Sequence, residues 1–201
     1  MSPTFTRESA WIAQSLIVCG VDEAGRGPWA GPVVAAAVIL NPRNIPLGLN
    51  DSKKLSAARR EALFDPIVNS SVVGIGIISA ARIDEINILR ATYEAMQLAV
   101  SKLHVQPNIA LVDGNRAPPL SCSVETIIGG DAESLSIAAA SIIAKVTRDR
   151  IMRDLDRQYP DYLFAAHKGY GTSAHAAALA RLGPCPEHRK SFAPVRARLG
   201  N

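Results

Sequence analysis

Residues 16–40 read LIVCGVDEAGRGPWAGPVVAAAVIL. Two apolar runs, residues 16–21 and 33–40, stand on either side of a turn rich in glycine and proline at residues 25–32. Apolar runs of this length, bounded by turn-forming residues, predict two neighbouring β-strands. Because so short a segment joins them, we expect the two strands to form an antiparallel hairpin that begins a sheet.

The remainder of the chain alternates further apolar runs with helical patterns. Three runs predict additional strands, at residues 72–79, 109–112 and 124–128. Apolar residues three and four positions apart, with capping residues and helix-ending prolines, predict helices. These helices are expected at residues 56–68, 83–103, 132–158 and 173–182. Strands that come first and then alternate with helices predict an α/β fold, a mixed sheet covered by helices.

The composition is that of a globular protein with one domain. The chain has 201 residues, of which 48% are hydrophobic and 20% are charged, so it can bury a core without disulfide or metal support. Its longest apolar run falls well short of the roughly 18 residues that cross a bilayer, which argues against a membrane protein. Residues 1–14 lack the apolar core of a secretory signal, and the three cysteines have unrelated spacings. We therefore expect a cytoplasmic protein with reduced thiols.

The basic residues are concentrated toward the C-terminus. The formal net charge is +4, and residues 148–201 carry ten of the 22 basic residues but only five of the 18 acidic ones. A basic region of this kind suggests attraction to a polyanion such as nucleic acid. A solvated helix face explains the same charges equally well, since residues 148–157 interleave arginine with aspartate.

Acidic residues follow three of the predicted strands, each with glycine close by. Asp22 and Glu23 follow the first strand, and Asp113 and Asp131 follow the last two. Because strand ends are where sites assemble in α/β sheets, we expect these carboxylates to lie close together. Carboxylates in close contact repel one another unless they are protonated or bind a cation, and their hard oxygens favour Mg²⁺ or Mn²⁺. Two such ions about 4 Å apart can activate water, so the pattern predicts metal-dependent hydrolysis of a phosphodiester.

Other interpretations of these acids remain open. Taken alone, each acid could be a turn residue or a helix cap, as Asp131 would be for the long helix that follows it. Asp22 and Glu23 are adjacent, so on a regular strand they would point to opposite faces of the sheet. The turn that follows them could break this alternation, and its Gly25 and Gly27 could expose backbone N–H groups to a ligand.

Five motifs match one protein family, in the family's order. They are DEAGRGP at residues 22–28, DSKKL at 51–55, DG at 113–114, GD at 130–131 with IAAASI and AKV in residues 137–146, and HKGYGT at 167–172. From about residue 16 to residue 194, the sequence therefore resembles bacterial ribonuclease HII.

The resemblance implies a ribonuclease H-like α/β fold, with a mixed five-stranded sheet, flanking helices and a small C-terminal helical extension. Residues 1–15 would form an N-terminal extension, and residues 16–201 the catalytic domain, with its C-terminal helical segment covering about residues 160–201. The family hydrolyses the RNA strand of RNA–DNA hybrids. It also nicks duplex DNA on the 5′ side of an embedded ribonucleotide, which leaves 3′-hydroxyl and 5′-phosphate ends and serves ribonucleotide removal. We expect a monomer whose partners are these nucleic acids, with no membrane or identifiable protein partner.

The resemblance also implies roles for individual residues. The family's catalytic and metal-binding acids, which hold two Mg²⁺ or Mn²⁺ ions, correspond to Asp22, Glu23, Asp113 and Asp131. Gly25, Arg26 and Gly27 would read the ribose 2′-hydroxyl through backbone groups, and Tyr170 would stack on the sugar that follows. Side chains that could contact phosphates are those of Ser52, Lys53, Lys54, Lys145, Arg148 and Lys168.

A few residues fall outside this correspondence. Gly130 stands where the family often has lysine, and Glu133 stands where it usually has an apolar or small residue. If Asp131 begins the long helix, Glu133 lies in its first turn, where a negative charge suits the helix dipole. The spacing of the histidines fits no common zinc pattern, so we expect structural roles for them, with His188 and Arg189 in tertiary hydrogen bonds.

Two other functions are compatible with parts of the sequence. An aspartate-nucleophile phosphatase would use Asp113, but the chain lacks a nearby pair of aspartates in one loop. A non-catalytic RNA-binding module would use the basic C-terminal region, but aromatic residues make up only 5% of the chain and no stacking platform is evident. A metal-dependent endonuclease is the favoured interpretation.

Overall fold

Five strands form one mixed sheet in the computed structural model, which describes residues 2–200. The strands are β1 (Val18–Ala24), β2 (Val33–Leu40), β3 (Ser71–Ile78), β4 (Ile109–Asp113) and β5 (Ser123–Ile127). They lie in the order β3-β2-β1-β4-β5. β2 pairs antiparallel with β1 and β3, whereas β4 pairs parallel with β1 and β5. The predicted hairpin and the predicted mixed five-stranded sheet are both confirmed.

Helices cover both faces of this sheet. In chain order, the α-helices are α1 (Thr6–Ile12), α2 (Ala57–Ser70), α3 (Ala80–Ile86), α4 (Ile88–Ser101), α5 (Leu135–Gln158), α6 (Phe164–His167), α7 (Ser173–Leu182) and α8 (Ala193–Arg196). α4 packs against one face of the sheet, and α2 and α5 pack against the other. The α/β fold class predicted from the sequence is confirmed.

The side chains of β2 alternate between these two layers. Val33 and Ala35 belong to the hydrophobic cluster that includes α4, whereas Val34 and Ala36 belong to the cluster that includes α2 and α5. All four are fully buried. Because both faces of the strand are covered, β2 is an uninterrupted apolar run in the sequence instead of an alternating one.

Helix α5 crosses β1 closely because Gly20 has no side chain. A Cβ atom at Gly20 would lie 2.1 Å from the backbone carbonyl carbon of Ser136, at the start of α5. No side chain fits into that distance, so only glycine allows the helix to approach this strand. The next turns of α5 then bring Ser141, Lys145 and Arg148 to the cleft at the end of β1.

The predicted helix at residues 83–103 is two helices in the structure, α3 and α4. Asn87 separates them with a φ of 68°, a left-handed value that asparagine tolerates better than most residues. Its side-chain oxygen accepts hydrogen bonds from the N–H groups of Leu89 and Arg90, at 3.0 and 3.1 Å. Asn87 therefore ends one helix and caps the next.

The long helix α5 begins three residues later than predicted. Ser134 is its N-cap and accepts a hydrogen bond from the Ile137 N–H, while Asp131 lies in a separate 3₁₀ turn, Gly130–Ala132. Asp131 is therefore not the helix cap, and Glu133 precedes the helix instead of lying in its first turn. The carboxylate of Glu133 pairs instead with Arg7, at 2.8 Å.

Helix α1 is attached to the start of α5 through a buried carboxylate. Oε1 of Glu8 accepts a hydrogen bond from the Ser136 N–H at 2.9 Å, and others from the hydroxyls of Ser134 and Ser136 at 2.6 and 2.7 Å. Residues before β1 are thereby tied to the helix that carries part of the cleft described below.

The C-terminal helices enclose three buried histidines. The rings of His167 and His175 stack with their centroids 4.4 Å apart, and Nε2 of His175 lies 3.0 Å from Nε2 of His188. A β-bridge between Ala30 and His188 joins this segment to the turn that connects β1 and β2. The structural role predicted for His167, His175 and His188 is confirmed. Across residues 2–200, no helix combines the length and apolarity needed to span a membrane.

Candidate active site

The four acids singled out in the sequence lie at one end of the sheet. Asp22 and Glu23 are near the end of β1, and Asp113 is the last residue of β4, which runs parallel to β1. Asp131 follows β5, which runs parallel to β4. Parallel strands bring their carboxyl ends to the same edge of a sheet, so the acids are brought together by the topology itself.

Asp22 and Glu23 face opposite layers, as expected for neighbours on a strand. In the antiparallel register Asp22 is opposite Ala36, which faces α5, and Glu23 is opposite Ala35, which faces α4. Glu23 nevertheless lines the clefts on both sides, because it stands at the end of the strand where the sheet no longer separates them. Both residues of the pair therefore contribute to the site.

Burial and repulsion disfavour negative charge on Asp22, Glu23 and Asp131. Burial raises the pKa of Asp22 well above its usual range, and the charges of Glu23 and Asp113 raise it further. The pKa of Glu23 is also raised by burial, although Arg26, 3.5 Å away, lowers it in part. Burial likewise raises the pKa of Asp131, with Asp113 adding to the effect and Lys53 opposing it.

The hydrogen bonds of Asp113 and Asp131 leave part of the site unsatisfied. Oδ1 of Asp113 accepts the Gly130 N–H at 2.8 Å. Asp131 is only 4% exposed, and its Oδ2 has no hydrogen-bond partner within residues 2–200, its nearest cation being Lys53 Nζ at 3.6 Å. A buried carboxylate oxygen without a partner is costly unless a cation compensates it.

The carboxylates suit a divalent cation by their chemistry, although their side chains are spread apart. Over the described range, no three His, Cys, Asp or Glu side chains are close enough to hold an ion together. Asp113 instead accepts a hydrogen bond from Gly130, and Asp131 faces Lys53. A hard cation would compensate the unpartnered oxygen of Asp131 and the conditions that raise the pKa values of Asp22, Glu23 and Asp131.

The turn after β1 lies beside Tyr170. Gly25 has a φ of 96°, and a Cβ atom there would lie 2.0 Å from Nε of Arg148, so this position requires glycine. A Cβ atom at Gly27 would lie 3.8 Å from Cε1 of Tyr170, whose side chain is 45% exposed. The turn and the tyrosine ring thus form one continuous surface next to Asp22 and Glu23.

Arg148 lines the cleft from beneath this surface and is itself almost fully buried. Its side chain is 1% exposed, and it donates hydrogen bonds to the carbonyl oxygens of Pro32 (2.9 Å), Lys168 (3.0 Å) and Ala30 (3.1 Å). These bonds use three of its five N–H donors, so the structure gives the phosphate contact expected of Arg148 no support. It instead joins the turn after β1 to the segment that carries Tyr170.

The other candidate phosphate contacts differ in how accessible they are. Ser52 is buried, and its hydroxyl accepts a hydrogen bond from Ser141 at 2.7 Å, although both line the cleft beside Asp22. Lys145 also lines the cleft and pairs with Asp149 at 2.7 Å. The ammonium of Lys168 binds the carbonyl oxygen of Ala165, outside the residues that line the cleft.

Lys53 is the most exposed of these basic groups in the cleft. Its side chain is 78% exposed. Partial burial disfavours the positive charge of Lys53, but the negative charges of Asp131 and Asp22 outweigh this effect and raise the pKa of Lys53. Lys54 is exposed in the same loop.

A second cleft lies on the α4 side of the acids and was not predicted. Glu23 and Asp113 line it together with Tyr93, Asn115 and Arg116. The sequence could have indicated this cleft by its polar residues Asn115 and Arg116, directly after Asp113 and Gly114. Nothing in the sequence, however, placed α4 against them.

Comparison with known proteins gives one family. The family model described as Ribonuclease HII matches residues 19–195. A Ribonuclease HII from Azorhizobium caulinodans is 57% identical over 195 residues, which cover 96% of this chain and 75% of the relative.

Solved structures agree with this result. The ribonuclease H2 from Pyrococcus horikoshii OT3 has a TM-score of 0.75 and 29% identity, covering 90% of this chain and 95% of that chain. Bst-RNase HIII, solved in complex with Mn²⁺, has a TM-score of 0.76 and covers 92% of this chain and 70% of that chain. At 19% identity, this second likeness concerns the fold alone.

Proposed function

Because the chain belongs to the ribonuclease HII family and is a metal-dependent ribonuclease H, we propose that it nicks duplex DNA on the 5′ side of an embedded ribonucleotide. The same site would hydrolyse the RNA strand of RNA–DNA hybrids, leaving 3′-hydroxyl and 5′-phosphate ends. The observation that carries the proposal is the position of the acids. They lie at one edge of the sheet beside a glycine turn and an exposed tyrosine ring.

Asp22, Glu23, Asp113 and Asp131 would hold two Mg²⁺ or Mn²⁺ ions. The unpartnered Oδ2 of Asp131 and the repulsion among the acids support this, because a hard cation offsets both. When bound, such ions lower the pKa of a water molecule and stabilise the oxygen that leaves the phosphorus. Lys53 would supply positive charge beside Asp131 and lessen the repulsion between the acids and a phosphate.

The turn at residues 25–27 and Tyr170 would select the sugar. The exposed ring of Tyr170 offers an apolar face on which a sugar can stack, and its hydroxyl can hydrogen-bond to a 2′-hydroxyl. Gly27 has no side chain, so backbone groups of the turn remain accessible next to the ring. A strand in which a ribonucleotide is followed by a deoxyribonucleotide would contact the turn with its ribose and the Tyr170 ring with the next sugar.

The phosphates of the strand would meet Lys53 and Lys145, which line the cleft. Lys168 would contribute only if its ammonium leaves the Ala165 carbonyl. With these substrates, the protein would serve ribonucleotide removal from DNA, acting as a monomer in the cytoplasm.

The test is cleavage of an end-labelled DNA duplex that contains one ribonucleotide, with the cut mapped to the nucleotide. The reaction is run with Mn²⁺, with Mg²⁺ and with a chelator, and an all-DNA duplex is the control. We expect a single metal-dependent nick on the 5′ side of the ribonucleotide. Cleavage of long RNA–DNA hybrids without this nick would overturn the roles given to residues 25–27 and Tyr170.

A further inference from the structure

Two buried arginines lie beneath the turn that joins β1 to β2. Arg189 and Arg148 are 0% and 1% exposed. Within the described residues, the hydrogen bonds of both guanidiniums go to backbone carbonyl oxygens and none goes to a carboxylate. Burying a charge without a counter-charge is costly, so these contacts must be made in full for the arrangement to persist.

Arg189 holds both ends of the turn with one side chain. Its Nη2 donates to the carbonyl oxygens of Gly25 (2.6 Å) and Pro32 (3.1 Å), its Nη1 to that of Arg26 (3.0 Å), and its Nε to that of Gly31 (3.0 Å). The planar fork of a guanidinium can reach several acceptors at once, which a lysine ammonium on a flexible stem does not reproduce. Burial and the nearby charge of Arg148 lower the pKa of Arg189 to about 9, so it stays charged at neutral pH.

The contacts to Gly25 and Arg26 fix the direction of two backbone donors. The peptide bonds of the described residues are trans, and in a trans peptide the C=O of one residue and the N–H of the next point in opposite directions. Since the carbonyls of Gly25 and Arg26 point inward to Arg189, the N–H groups of Arg26 and Gly27 point outward. Both residues are exposed, and neither N–H has a hydrogen-bond acceptor in residues 2–200.

We propose that Arg189 is a positioning residue for sugar selection, because it holds the N–H groups of Arg26 and Gly27 outward to donate to a ribose 2′-hydroxyl. This inference rests on the proposed function of the site. A deoxyribose offers no oxygen to these donors, so the preference for ribose depends on their direction. Arg189 itself touches neither substrate nor metal.

The backbone around Arg189 is held independently of its side chain. The Arg189 N–H donates to the Trp29 carbonyl at 2.8 Å, and the Gly31 N–H donates to the Glu187 carbonyl at 2.8 Å. These bonds form the bridge between Ala30 and His188. A change of the Arg189 side chain therefore removes its hydrogen bonds to the turn, while the backbone bridge between Ala30 and His188 remains.

The experiment compares Arg189→Lys with Arg196→Lys, a matched change at an exposed arginine of the same C-terminal segment. Both are made in an Asp113→Asn background to prevent cleavage. Fluorescence anisotropy gives the affinity for a duplex with one ribonucleotide and for the same duplex in all-DNA form. The ratio of the two affinities is the readout, because a loss of stability alone lowers the amount of folded protein but not this ratio.

We expect Arg189→Lys to lower the preference for the ribonucleotide by about tenfold, the effect of about 1.4 kcal/mol of lost binding, and to leave all-DNA binding and the Arg196→Lys ratio unchanged. An unchanged ratio in folded Arg189→Lys overturns the role given to Arg189 and leaves the proposed function intact. If the Asp113→Asn protein with Arg189 intact shows no preference for the ribonucleotide duplex, the sugar selection proposed for the turn is itself contradicted. If Arg189→Lys does not fold, Arg189→Gln replaces it, and unfolding of both would show that Arg189 holds the fold and does not act as a positioning residue.

Discussion

Replacing His188 with glutamine should make the folded protein less sensitive to mild acid. His188 is buried, and burial, together with the nearby His175, lowers its pKa from the usual 6.5 to about 4. Between these two pH values the unfolded chain binds a proton that the folded protein does not. The free energy of unfolding therefore falls as the pH drops from about 6.5 toward 4, by at most roughly 3 to 4 kcal/mol at about 1.4 kcal/mol per pH unit.

The hydrogen bonds of His188 explain why the folded protein resists this proton. Nδ1 of His188 accepts the Cys185 N–H at 3.0 Å. Nδ1 of His175 lies 3.0 Å from the Tyr170 carbonyl oxygen, which can only accept, so His175 carries its proton there. Nε2 of His188 then donates to Nε2 of His175 across 3.0 Å. A second proton on either ring would lose one of these bonds and place an unpaired charge in the interior.

Urea unfolding from about pH 7 to about pH 4.5 measures this effect. Asp22, Glu23 and Asp131 have raised pKa values in the folded state, so their protonation stabilises it as the pH falls and acts in the opposite direction. Comparing His188→Gln with the wild type isolates the histidine, and His104→Gln, at an exposed position, is the matched control. We expect a flatter pH dependence for His188→Gln only. The reasoning is refuted if His188→Gln and the wild type lose stability in parallel.

The remaining predictions concern the cleft and the sheet. Asp113→Asn should lower the cleavage rate by more than about a hundredfold, because loss of a direct metal ligand costs at least as much as loss of an outer-shell partner, while hybrid binding by anisotropy changes little; a rate within about a hundredfold of the wild type at saturating metal would count against it. Tyr170→Phe should keep the stacking face and lose part of the preference for ribose, whereas Tyr170→Ala should lose both; a wild-type preference in Tyr170→Phe would exclude a role for the hydroxyl, and equal kinetics for the two variants would exclude a separate role for the ring. Gly20→Ala should destabilise the fold by about 3 kcal/mol or more in urea, because its Cβ would lie 2.1 Å from the Ser136 backbone; an unchanged unfolding midpoint would mean that α5 can move away from β1.

The strands and the placement of the acids were predictable because both follow from local pattern. β2 is buried on both faces and so reads as a continuous apolar run, and Asp22, Glu23 and Asp113 stand where such runs end. Once the strands were recognised, the general tendency of α/β sites to form at strand ends was enough to group the acids.

The break at Asn87 was not predictable from periodicity. The apolar spacing passes through residue 87 without a change of phase, so it predicts one helix. What ends α3 is the positive φ of Asn87 and its side-chain bonds to Leu89 and Arg90. These depend on local geometry that a hydrophobic pattern does not encode.

The role of Arg148 was missed for a different reason. In the sequence it stands among alternating arginine and aspartate residues, which is typical of a solvated helix face. Its actual acceptors are the carbonyls of Ala30, Pro32 and Lys168, and the first two lie 118 and 116 residues away along the chain. Partners that come together only in the folded protein leave no local signal.

The metal site is tested most directly by anomalous diffraction from crystals soaked in Mn²⁺. The Asp113→Asn variant is crystallised with a ribonucleotide-containing duplex, and the wild-type control is crystallised with an uncleavable analogue of that duplex. We expect anomalous peaks among the carboxylates of Asp22, Glu23, Asp113 and Asp131 in the wild type, and loss or weakening of these peaks in Asp113→Asn. Peaks at other residues, or none at a Mn²⁺ concentration that supports cleavage, would contradict the assignment of these acids as the metal site.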